Sequence, residues 1–181
     1  MSKFRGYMAP GVLYLVLVHS HGVLAAGNGL DVKFSGTLID RVCTFVQGDQ
    51  PLEVEFPSRA LKYFEHHSRT TVKAFDIVLK DCSSATLAKT VEMTFSSART
   101  VVVNGQTFLE PEGGTGLVIG LQDGNGTPVE PGTAFNLGSI RTIGSGSENR
   151  FTLGAYAMAP AGKTIMAGPY KAVTTFTLNY L

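Results

Sequence analysis

From residue 168 to residue 181 the chain alternates apolar and polar positions. Ala172, Thr174, Phe176, Leu178 and Tyr180 fall on one face of an extended segment, and Val173, Thr175, Thr177 and Asn179 on the other. That period of two predicts a half-buried β-strand. An apolar strand reaching Leu181 needs a partner along at least one edge. A second alternation stands near the other end, where Leu30, Val32, Phe34, Gly36 and Leu38 are separated by Asp31, Lys33, Ser35 and Thr37. It predicts a first or edge strand with one buried face, or an arm that becomes a strand on meeting a partner.

Between these ends the pattern changes period only once. Residues 39–46 read as a strand carrying Cys43, and 52–56 alternate again until Pro57. Residues 71–82 read as a long strand with Phe75, Ile77 and Leu79 on one face and Val72, Ala74, Val78 and Cys82 on the other. Both faces are apolar in its second half, so it is expected in the middle of a sheet. Further strands are predicted over 90–96, 100–103, 106–109 across an Asn104-Gly105 turn, 116–122, 133–137 and 150–158. The best helical candidate is 58–66, with Leu61 and Phe64. Strands every 8 to 14 residues, joined by Gly-, Ser- and Pro-rich loops, predict an all-β sandwich. Counted from Ile39, they fill an immunoglobulin-like sandwich up to its sixth position, leaving nothing after the C-terminal strand to cover its outer edge. The fold reads as one strand short, with an apolar groove that requires a partner.

A length of 181 residues suits a single domain with a real core. The first 26 residues are set apart as a secretory signal peptide: Lys3 and Arg5 precede an apolar run over 8–18, and Ala25-Ala26-Gly27 supplies small residues for cleavage. That run is shorter than the roughly 20 residues needed to span a bilayer. Removing Lys3 and Arg5 from 15 basic residues leaves 13 against 14 acidic ones, a balance that offers no basic stripe for nucleic acid and no polybasic patch for lipid. Two cysteines in an exported chain, Cys43 and Cys82, are most simply one disulfide.

Candidate chemistry is sparse. Glu65-His66-His67 has zinc-type donors, but neighbouring residues of an extended segment point to opposite sides, and His19 and His21 belong to the leader. A solvated turn is the simpler reading. Gly113-Gly114-Thr115-Gly116 and Gly144-Ser145-Gly146 complete no phosphate-binding motif and read as hairpin loops. No nucleophile stands with a histidine and an orienting carboxylate, so neither an enzyme nor a cofactor is expected.

The C-terminal stretch resembles the assembly strand of pilus subunits of the chaperone-usher route. In that family a penultimate Tyr, alternating apolar residues and a Gly fourteen positions from the end form the motif; Tyr180, Leu178, Phe176 and Gly168 stand in those places here. The N-terminal alternation and the following cysteine pair are similar as well. Residues 36–43 are most similar to the minor tip adaptor subunits of P pili. The resemblance implies an incomplete immunoglobulin-like β-sandwich lacking its last strand, with residues 39–181 as the pilin domain and 27–38 as a donor-strand extension. Leu30, Val32, Phe34, Gly36 and Leu38 would fill successive pockets of a neighbouring subunit, Gly36 in the fourth. Gly168, Ala172, Thr174, Phe176, Leu178 and Tyr180 would line this subunit's own groove and meet the chaperone. Implied partners are a periplasmic pilus chaperone, an outer-membrane usher and neighbouring pilus subunits, with no nucleic acid or small-molecule substrate. The implied location is the cell-surface fimbrium, reached through the periplasm. A terminating or major rod subunit, and a secreted carbohydrate-binding sandwich, are the alternatives.

Overall fold

The computed structural model describes residues 42–48 and 50–181. Ten strands follow one another: β1 (Thr44–Phe45), β2 (Lys73–Lys80), β3 (Thr90–Ser96), β4 (Thr100–Val103), β5 (Gln106–Leu109), β6 (Val118–Asp123), β7 (Pro128–Val129), β8 (Ala134–Ser139), β9 (Glu148–Met158) and β10 (Thr175–Tyr180). A one-turn helix, α1 (Tyr63–His66), and a 3₁₀ turn at Ser84–Thr86 complete the elements.

Two antiparallel sheets result. The larger runs β1-β2-β9-β6-β5-β4, with β7 also paired to β6; the smaller runs β10-β3-β8. The alternation that predicts each strand also places its core face. In β3, Val91, Met93 and Phe95 are buried while the residues between them are less so, and Ile77 and Leu79 of β2 face them from the other sheet with Leu121 of β6 and Leu153 of β9. These side chains form one shared core between the sheets.

β2 lies between β1 and β9, with Ile77, Val78 and Leu79 all buried, which fits the apolar character of both its faces. The Asn104-Gly105 connection between β4 and β5 has φ of 50° and 82°, the two consecutive positive values of a tight hairpin turn that Asn-Gly tolerates. On β6, Gly120 pairs with Tyr156 of β9, whose ring occupies the space a side chain would take: a Cβ at Gly120 would lie 2.3 Å from the phenol ring. The Arg69 guanidinium lies over that ring at 4.7 Å.

Several expectations are corrected. Residues 52–56 form no strand; Val54 and Phe56 pack on the core, but no neighbouring strand takes up their backbone groups. The predicted strand over 39–46 is reduced to Thr44–Phe45 among the described residues. The helical candidate over 58–66 contracts to four residues. The C-terminal strand begins at Thr175 rather than near Gly168, because its partner β3 ends at Ser96, which faces Thr175. Between Gly168 and Thr174 the chain makes one backbone bridge, between Lys171 and Glu112.

Candidate functional site

The candidate site is the side of the molecule where β10 edges the small sheet and β1 edges the large one. Mutual backbone hydrogen bonds join Leu181 and Thr90 at 2.9 and 3.2 Å. In an antiparallel ladder such exchanged pairs alternate with pairs that share no bond. With Tyr180 opposite Val91, Leu178 opposite Met93 and Phe176 opposite Phe95, the backbone N–H and C=O groups of Phe176, Leu178 and Tyr180 therefore point away from β3. Among the described residues no strand pairs with that outer edge.

The side chains on the same three residues point inward, yet they are only half-buried, as are Ala172 and Thr174. Their partners on β3 are buried to 0–3% exposure. This difference marks the β10 side as the less covered flank of the core. Burial is still enough to push the Tyr180 phenol above its ordinary value.

β1 mirrors this arrangement in part. The Val46 N–H donates to the Val78 carbonyl, and Phe45 lies opposite Leu79 in a pair that shares no bond, so its backbone groups point away from β2, although its carbonyl accepts from the Gly48 N–H of the following turn at 3.1 Å. Its ring is 37% exposed although it lies on the core side. It meets Phe176 edge-on at 5.5 Å, and Phe176 in turn meets Phe95 at 6.2 Å. Sequence patterning did not single out Phe45. The signal was there: two residues after Cys43, it shares that residue's face of an extended chain.

Of the predicted groove residues, Phe176, Leu178 and Tyr180 share one face of β10; Ala172 and Thr174 are also half-buried but precede the strand, and the Thr174 hydroxyl donates to the Ser96 carbonyl at 2.9 Å. Gly168 does not join them; it lies in the preceding loop, where a Cβ would sit 3.6 Å from the Thr115 methyl. Tyr170, near it, lies 6.2 Å from Phe56 with the ring planes tilted by 30°, and burial raises its phenol too. Leu30, Val32, Phe34, Gly36 and Leu38 lie outside the described residues, as does the segment 1–26 read as a signal peptide. Cys43 and Cys82 are joined in a disulfide that ties the start of β1 to the end of β2. Among the described residues, no three His, Cys, Asp or Glu side chains are grouped to hold a metal ion; His67 instead stacks on Tyr63 at 4.4 Å.

The chain belongs to the fimbrial protein family, whose profile matches residues 32–181. It is thus a structural component of surface fimbriae and not an enzyme. Among individual proteins it is similar to the fimbrial adapter PapK of Escherichia coli, at 31% identity over 166 residues covering 87% of this chain and 92% of that protein. It is also similar to the major MR/P fimbria protein of Proteus mirabilis, at 28% identity over 87% of both. In fold it matches the crystal structure of the P pilus rod subunit PapA, with a TM-score of 0.62 at 23% identity over 77% of this chain and 99% of that one.

Proposed function

We propose that this fimbrial subunit is completed, and joined to its neighbours, by strand addition. In this reading residues 39–181 are an immunoglobulin-like sandwich without its last strand, 27–38 are a donor strand, and 1–26 are a signal peptide that directs the chain to the periplasm. The observation that carries it is the edge of β10. Phe176, Leu178 and Tyr180 combine outward-facing backbone groups with half-buried side chains, which is what an added strand needs for hydrogen bonds and for side-chain pockets.

A periplasmic chaperone lends a strand to this groove, and at the outer-membrane usher the extension of the next subunit replaces it. Main-chain hydrogen bonds give affinity and alternate side chains give register. The subunit's own Leu30, Val32, Phe34, Gly36 and Leu38 fill the groove of the preceding subunit. Similarity to a fimbrial adapter supports a minor adaptor position; similarity to a major fimbria protein supports a rod position as the second reading. Crosslinking in intact fibres separates them, since an adaptor contacts two different subunits and a rod subunit contacts copies of itself.

Gly36→Val tests the donor strand. In an ordinary half-buried strand valine is neutral or slightly stabilising. In a shallow pocket of a neighbour its added methyls overpack, costing about 1 to 3 kcal/mol and slowing exchange. The variant should bind chaperone normally, because its own groove is untouched, and add poorly to the preceding subunit. Normal behaviour in both assays rules out residues 30–38 as the donor strand.

A further inference from the structure

The two sulfurs of the Cys43–Cys82 disulfide lie in different surroundings. Cys82 is only 1% exposed, and the segment from Arg141 to Ser147 wraps it. The Cys82 N–H donates to Ser147 Oγ at 3.2 Å, the Gly144 N–H donates to the Cys82 carbonyl at 2.8 Å, and the Gly146 N–H donates to Asp81 Oδ1 at 2.8 Å. Buried Asn149 holds this segment in place. Its Oδ1 accepts from the Arg141 and Thr142 N–H groups, and its Nδ2 donates to the Thr142 carbonyl at 2.8 Å and to the Cys82 Sγ at 3.5 Å. Cys43, by contrast, is half-buried at the start of an edge strand, and among the described residues its sulfur receives no hydrogen bond.

Access and leaving-group stability both govern which sulfur of a disulfide reacts. We infer that thiol–disulfide exchange at this bond is directional: an external thiol or disulfide engages the Cys43 sulfur, and Cys82 is the sulfur that leaves and returns. In reduction, an external thiolate attacks Cys43 Sγ. The Cys43–Cys82 bond breaks, a mixed disulfide forms on Cys43, and the electron pair departs on Cys82 Sγ, where the Asn149 N–H meets it before a proton arrives from water. A second external thiolate then attacks the external sulfur of the mixed disulfide, freeing Cys43 as a thiol and leaving one external disulfide. Oxidation runs in reverse. The Cys43 thiolate attacks an external disulfide and expels one thiolate, and the Cys82 thiolate then attacks Cys43 Sγ and expels the second.

The test uses the oxidised chain in the form in which it is isolated. It is treated briefly with reduced glutathione, quenched in acid, blocked with N-ethylmaleimide and mapped by peptide mass spectrometry. The expected product carries glutathione on Cys43 and maleimide on Cys82, in excess by about tenfold or more over the opposite product. In denaturant the preference should collapse. An adduct on Cys82, an even split, or a preference that persists in denaturant overturns the inference. So does resistance of the folded chain to glutathione that reduces the denatured one, since Cys43 would then be out of reach. Asn149→Asp keeps the side-chain acceptor and removes the N–H donor; it should slow reduction while leaving the adduct on Cys43. An unchanged rate in a folded variant removes Asn149 from the account.

Discussion

The ring of Phe45 stands edge-on to that of Phe176, with centroids 5.5 Å apart and planes at 77°. One residue edges the large sheet and the other the small sheet, so this contact spans the flank on which β1 and β10 face each other. Such a pair contributes about 0.5–1.5 kcal/mol beyond its buried area. Because Phe45 is 37% exposed, Phe45→Ala should cost about 1–2 kcal/mol, against about 3–5 kcal/mol for a fully enclosed ring such as Phe95. Urea midpoints of the two variants check this; equal losses would mean that Phe45 is already as enclosed as Phe95.

A tighter constraint sits at Gly120. A Cβ there would fall 2.3 Å from the Tyr156 ring, so Gly120→Ala should destabilise by about 1–3 kcal/mol through overpacking. Shortening Tyr156 to Ala should absorb much of that penalty. A double-mutant cycle in thermal or urea unfolding reads the coupling directly; strictly additive losses would show that the ring is not what excludes a side chain there.

The disulfide closes a segment with a sequence separation of 39. Replacing both cysteines by serine should lower stability by on the order of 4 kcal/mol in the chain-entropy model. Denaturant titration of the double variant beside the wild type measures the loss. A difference under about 1 kcal/mol would mean that the unfolded chain is little constrained by the bond.

Burial raises the phenols of Tyr170 and Tyr180 above the usual tyrosine range. A folded-state value above the unfolded one means that the native state holds its proton longer. The associated stability is therefore complete below about pH 10 and is lost as pH rises through the folded-state value. Absorbance titration should show a late-ionising component that shrinks in Tyr180→Phe. An unaltered curve would place Tyr180 in solvent.

Side-chain faces were more legible in the sequence than backbone partners. The alternation at Ala172, Thr174, Phe176, Leu178 and Tyr180 recurs in the structure as alternating burial, each of the five being half-buried and the residues between them exposed, although only the last three lie within β10. The same alternation at Leu52, Val54 and Phe56 also placed Val54 and Phe56 against the core, yet no ladder forms. Periodicity reports which side chains leave water; pairing depends on a neighbour at the right distance, which no local pattern contains. Gly168 illustrates the same limit. Its place in the motif was readable, but its seat against Thr115 follows from how the loop before β10 meets the segment around Glu112. Phe45 was not singled out because the strand predicted over 39–46 stands out for its cysteine, and the contact of Phe45 with Phe176 joins residues far apart in the chain that no local pattern relates.

The outward-facing backbone groups of Phe176, Leu178 and Tyr180 recur every second residue, a spacing of about 7 Å along an antiparallel strand. Peptide groups are identical at every position, so this edge has a reading frame but no letters. A strand displaced by one residue would turn its polar side chains inward and be rejected, whereas one displaced by two would keep every main-chain bond. Discrimination between those frames falls wholly to the sizes of the side chains that enter. Under the proposed strand addition, an edge of this kind would be general in what it held and selective only in where it let the occupant stop.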